Sequence, residues 1–109
     1  MAADLDDLVN IKGVILAVEF SPDGTCTSYK NVTREMAAMI CHFCVAVTMN
    51  FNALAAGFTN LSIQEWVPQK GWIYVGGSYT VIIGRGGYRE VFAESSKVSM
   101  DEVFAALAD

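Results

Sequence analysis

Basic side chains are scarce in this 109-residue chain: 7 Lys and Arg stand against 12 Asp and Glu, for a net charge of −5. Lys12, Lys30, Arg34, Lys70, Arg85, Arg89 and Lys97 are scattered rather than grouped. Nucleic-acid and anionic-membrane surfaces need clustered Lys and Arg, so neither nucleic acid nor membrane is expected as a partner. Histidine occurs once, at His42. Any Ser-His-Asp or Cys-His unit would have to be built on that single imidazole. The 3 cysteines are odd in number and unevenly spaced, which is no disulfide framework. The start, Met1-Ala2-Ala3-Asp4-Leu5-Asp6-Asp7, is acidic where a secretory leader is basic. These absences lead to the expectation of a reduced, cytoplasmic protein.

Apolar residues are abundant. They make up 53% of the chain, charged ones only 17%, and the mean hydropathy is +0.36. The length suits a single domain over residues 1–109. A domain of this size buries only about two-thirds of its extended-chain surface. The apolar excess therefore predicts that a second chain covers part of the surface.

The elements follow from local pattern. Asp4 is suited to cap a short helix carrying Leu5, Leu8 and Val9, which Lys12-Gly13 ends. Val14-Ile15-Leu16-Ala17-Val18 reads as a strand buried on both faces. Ser21-Pro22-Asp23-Gly24 is a turn, and polar Thr25 to Lys30 return as an edge strand. Thr33 caps a long helix predicted over residues 33–56, with Gly57 as its stop. From Met36 to Val47 every residue except His42 is apolar or a cysteine. That run is shorter than the roughly 20 residues a bilayer span needs, so the helix is expected to be buried on two sides. Three strands follow a connection at 57–70, over Gly71 to Val75, Tyr79 to Ile83 and Tyr88 to Ala93, joined by Gly-rich turns. Ser99 and Glu102 then form the capping-box signature of a terminal helix.

These elements predict an α+β fold: a five-stranded antiparallel sheet with the long helix on one face and two short helices on the other. With Ile11-Lys12-Gly13-Val14, Phe20-Ser21-Pro22-Asp23-Gly24, Trp66-Val67-Pro68-Gln69-Lys70-Gly71-Trp72 and Gly76-Gly77-Ser78-Tyr79-Thr80-Val81, the order resembles the roadblock / dynein light chain superfamily, in a bacterial branch with no assigned function. The resemblance implies a homodimer made by pairing the third strands and laying the long helices side by side. Met36, Met39, Ile40, Phe43, Val47, Trp72 and Tyr74 are then the expected interface. It also implies a non-enzymatic scaffold or regulatory module whose protein partner is a small GTPase or a larger complex.

Cys41-His42-Phe43-Cys44 is the one motif with reactive potential. At about 100° per residue, the two cysteines share a helix face while His42 points away from Cys44. No second C-x-x-C completes a metal site, and Cys26 is on another element. The pair also lies past the first helical turn, where the dipole would lower a thiol pKa. Packing is therefore the favoured role for Cys41 and Cys44. The alternative is a thiol protein in redox or sulfur metabolism, with two pairs meeting across a dimer axis. Gly84-Arg85-Gly86-Gly87 lacks the Lys-Ser/Thr and helix of a P-loop, and Asp4, Asp6 and Asp7 lack the rest of an EF-hand. No catalytic, cofactor or metal residues are assigned. A third reading, a small-ligand sensing domain, rests on the profilin-like layout.

Overall fold

The computed structural model describes residues 4–108. Met1, Ala2, Ala3 and Asp109, which the sequence reading includes in the domain, lie outside the described residues. The elements run α1 (Leu5–Val9), β1 (Val14–Phe20), β2 (Cys26–Lys30), α2 (Arg34–Ser62), β3 (Trp72–Gly76), β4 (Tyr79–Gly84), β5 (Arg89–Glu94) and α3 (Met100–Leu107). The sheet is antiparallel in the order β2-β1-β5-β4-β3, so β5 is central and β2 and β3 are the edges.

Strand alternation sorts the side chains between two layers. Val18, Glu90 and Ile83 are aligned across β1, β5 and β4, and Trp72 continues that row on β3. Val18 and Ile83 join Phe20, Ala37, Ile40, Cys41, Cys44 and Val45 in a core beneath α2. One residue along, Ala17, Val91 and Ile82 face the other way and pack with Leu5, Leu8, Val103 and Leu107 of α1 and α3. The predicted layering is the observed one.

Capping explains where the helices begin. Asp4 Oδ1 accepts the Asp7 N–H at 2.8 Å, and Asp7 Oδ2 accepts the Asp4 N–H at 3.2 Å, a reciprocal box. Asp6 bonds Lys30 at 2.8 Å. The N-terminal acidic cluster thus secures α1 to β2. Thr33 Oγ1 accepts from Met36 N, and Ser99 Oγ from Glu102 N.

The end of α2 corrects the sequence reading. Gly57 does not stop the helix, which runs to Ser62 and ends at Ile63 in the left-handed region, φ 59°. An interior glycine costs only about 1 kcal/mol, and the connection that follows offsets it. Trp66 donates from its backbone to Thr59 Oγ1 and from its indole to Ser62 Oγ, both at 3.0 Å, while its ring packs on Phe58 with centroids 4.9 Å apart. The helix is therefore about 43 Å long at about 1.5 Å per residue. A Cβ at Gly57 meets nothing within 4 Å. Gly57→Ala should accordingly stabilise the fold by about 0.5–1 kcal/mol in urea unfolding, by removing chain freedom from the unfolded state. A loss of stability would mean that this turn of the helix is covered in solution.

Among the described residues, α2 is the one helix long and apolar enough to cross a membrane, and a third of its most apolar stretch is buried within the fold. Its inward face is committed to the sheet. Thr48 Oγ1 donates to Gly87 O at 2.7 Å and accepts from Trp72 Nε1 at 3.0 Å. Gln69 Nε2 donates to Thr48 O at 2.8 Å and to Asn52 Oδ1 at 2.7 Å. Helix, edge strand and connection are held together at this point.

Candidate functional site

The outward face of α2 carries Met36, Met39 and Phe43, all exposed, with Val47 half-buried. Helical spacing of three to four residues puts them in one stripe. Ile40, expected with them, turns inward and is buried in the core beneath the helix. Tyr74 is 63% exposed on edge strand β3 and Phe43 is 64% exposed on the helix. Between α2 and β3 a cleft of about 320 Å³ is lined by Cys44, Val47, Phe51, Trp72, Ile73, Tyr74 and Val81. The helix stripe and the sheet edge therefore meet along one apolar surface. Trp72 belongs partly to the interior: it is half-buried, its ring lies 5.8 Å from Phe51, and its indole bonds Thr48. Toward the end of α2 the surface continues into a groove of about 580 Å³ walled by Phe51, Leu54, Phe58, Trp66, Pro68 and Trp72.

Exposure of this kind is unusual. Large contiguous apolar patches on soluble domains mark interaction surfaces. An uncovered edge strand with apolar side chains invites pairing with another chain.

Cys41 lies on the opposite side of the same helix, and Cys44 lies between that side and the cleft. Cys41 and Cys44 are buried against the sheet, whereas His42 is exposed with its ring 6.1 Å from that of Phe43. The fold also brings in Cys26, which the sequence places on another element: it packs against the same core, and its thiol donates to the Ser28 carbonyl at 3.5 Å. Burial is the main cause that raises both helix thiols above the ordinary cysteine range, with Glu90 adding to the effect. A protonated thiol is a poor nucleophile and a poor metal ligand. Among the described residues no group of three or more His, Cys, Asp or Glu is arranged to hold a metal.

Glu90 is the residue that sequence reasoning misses. Its carboxyl is completely buried at the centre of the sheet, where Oε2 accepts a hydrogen bond from the Cys44 thiol at 3.2 Å. Oε1 is buried and has no hydrogen-bond partner among the described residues. Burial pushes this carboxyl up to about 8, against a small opposing effect from Cys44. A signal existed in the sequence: Glu90 has the same strand parity as Tyr88 and Phe92, both of which pack beneath α2. Arg89, one residue away, faces the other layer and bonds Glu19 at 2.8 Å, and Arg85 bonds the same carboxylate at 2.6 Å.

The family model described as "Uncharacterized conserved protein (DUF2173)" matches residues 4–109. Among solved structures, the crystal structure of a Roadblock/LC7 domain from Streptomyces avermitilis is similar, with a TM-score of 0.82 and 13% identity, over 98% of this chain and 89% of that chain. At that identity the likeness is one of fold. No curated protein matches the chain.

Proposed function

Because the chain belongs to the family of uncharacterized conserved proteins DUF2173 and has the roadblock/LC7 fold, we propose that it is a non-enzymatic, homodimeric protein-interaction module of the cytoplasm. Residues 1–109 act in this reading as one domain. The observation that carries it is the continuous apolar surface made by Met36, Met39, Phe43 and Val47 on α2 and by Tyr74 on β3, with the unpaired β3 edge alongside. A two-fold contact covers both features at once, because the same patch is used on each copy. The surfaces left free on the dimer then recruit a further protein, either a small GTPase or a subunit of a larger complex.

Thiol chemistry is the weaker alternative, since burial and Glu90 keep Cys41 and Cys44 protonated. The groove beside Trp66 supports a second reading, small-ligand sensing, for which a metabolite-dependent rise in melting temperature is the mark.

A native mass spectrum with and without reductant tests the proposal. The expected species is a dimer of two 11.8 kDa chains, unchanged by reductant and carrying no added mass. A monomer at micromolar concentration overturns the reading. A dimer that exists only without reductant, or one holding extra sulfur or metal, transfers the function to the thiols.

A further inference from the structure

We propose that Glu90 is a pH-sensitive latch under the interface helix: neutral, it lets α2 lie on the sheet, and ionised, it drives helix and sheet apart and weakens the dimer. The regulation deepens the homodimer reading and rests on it.

The geometry carries the inference. Glu90 is on the central strand, aligned with Val18 of β1 and Ile83 of β4, and directly beneath Cys44 of α2. Among the described residues, the groups that face it from the surrounding elements contain no cation. From α2 come the thiols of Cys44 and Cys41, and from β2 the thiol of Cys26 beyond them. Beside it on its own strand face are Tyr88 and Phe92; Trp72 completes the row on β3. Ionising any of these thiols or the phenol would add negative charge, so none can compensate a carboxylate. Its neighbour Arg89 is engaged with Glu19 in the opposite layer.

A carboxylate buried without a cation is strongly disfavoured. Glu90 therefore stays neutral while α2 covers it, and its charge appears only when water reaches it. Cys44 is the route for that water: it bonds Glu90 on one side and lines the cleft between α2 and β3 on the other. That cleft lies within the proposed dimer surface, so hydration of Glu90 and loss of the interface are coupled by position.

The direction follows from linkage. The folded carboxyl titrates at about 8 rather than at the ordinary 4.5. Between those values the folded chain holds a proton that the unfolded chain has released, so raising the pH favours unfolding. Stability is greatest below the lower value, falls through the window and levels off above the upper one.

Urea unfolding and sedimentation equilibrium of the full chain from about pH 5 to about pH 9, at constant salt, test the latch in wild type and Glu90→Gln. The wild-type folding constant is expected to fall by up to about tenfold per pH unit, with dimer dissociation rising in the same interval. Glu90→Gln should be nearly flat in both readings. Parallel profiles in the two proteins overturn the latch even if the dimer is confirmed. A wild type that is monomeric at every pH overturns the dimer reading and this output of the latch together. If Glu90→Gln fails to fold, carboxyl-carbon NMR of glutamate-labelled wild type decides. One carboxyl titrating near 8 supports the latch, and ordinary values for all glutamates overturn it.

Discussion

Gly71→Ala should destabilise the protein by at least about 3 kcal/mol, a large share of the stability of an ordinary domain. Gly71 sits immediately before β3 with φ 153°, a region that L side chains rarely adopt. A methyl group there would overlap the backbone carbonyl oxygen of Ile83 and approach to 2.9 Å of both Gly84 Cα and Phe104 Cε1. Neither backbone atom can move without shifting β4, which is paired on both sides. Relief requires β3 to leave β4, giving up the pairing that begins at Trp72↔Ile83, along with the Trp72–Thr48 bond to α2.

Gly77→Ala separates the two causes. Gly77 also has positive φ, 57°, but a Cβ there meets nothing within 4 Å. It should lose only the conformational cost, about 1–2 kcal/mol. Denaturant midpoints for the two variants measure the difference. If Gly71→Ala unfolds no more easily than Gly77→Ala, the close approach of β3 to β4 and α3 is wrong.

Phe43→Glu should raise the dimer dissociation constant by about a thousandfold while leaving the fold intact. The ring is 64% exposed on the outer face of α2, so its removal opens no cavity in the core. At a two-fold interface the substitution occurs twice. Loss of a buried aromatic anchor costs about 2 kcal/mol per copy, and about 4 kcal/mol in total is close to a thousandfold in affinity. The two new carboxylates would also be desolvated at the contact, which adds to the loss. Sedimentation velocity across a concentration series, with circular dichroism as the check on folding, gives the answer. An unchanged dimer would remove the α2 stripe from the interface and leave the β3 edge as the remaining surface for self-association.

Much of the architecture was legible in the chain. The apolar run from Val14 to Val18, the turn at Ser21–Gly24, the Gly-rich turns after β3 and β4, and the Ser99 cap each act within a few residues. Sequence shows such short-range physics directly. The apolar excess of α2 beyond what one sheet covers was equally visible. From it came the expectation of a helix covered on two sides, with Met36, Met39 and Phe43 in a dimer interface; in the single chain all three are exposed on the outer face of α2. The sorting of Ile40 inward was not visible, because a helix apolar nearly all round has no polar face to set its rotation. The true end of α2 was hidden for a related reason. Gly57 is a local stop signal of about 1 kcal/mol, and the contacts that override it come from Trp66, which the chain brings back only after reversing direction.

The remaining features are decided by tertiary structure alone. Cys41 and Cys44 share a helix face in any drawing of the sequence, but their state depends on what lies opposite. The fold sets Cys26 and the buried carboxyl of Glu90 there, 46 positions from Cys44 in the chain. Strand parity points Glu90 into the same layer as Tyr88 and Phe92. Only the sheet order, with β5 in the middle and α2 above it, converts that direction into complete burial with no cation facing it among the described residues. Propensity, capping and alternation are properties of neighbours along the chain, so the sequence by itself determined the elements and the surplus of apolar surface. Desolvation is a property of everything within a few ångströms, whatever its position in the chain, and so the charge state of Glu90 and its thiol neighbours was left to the fold.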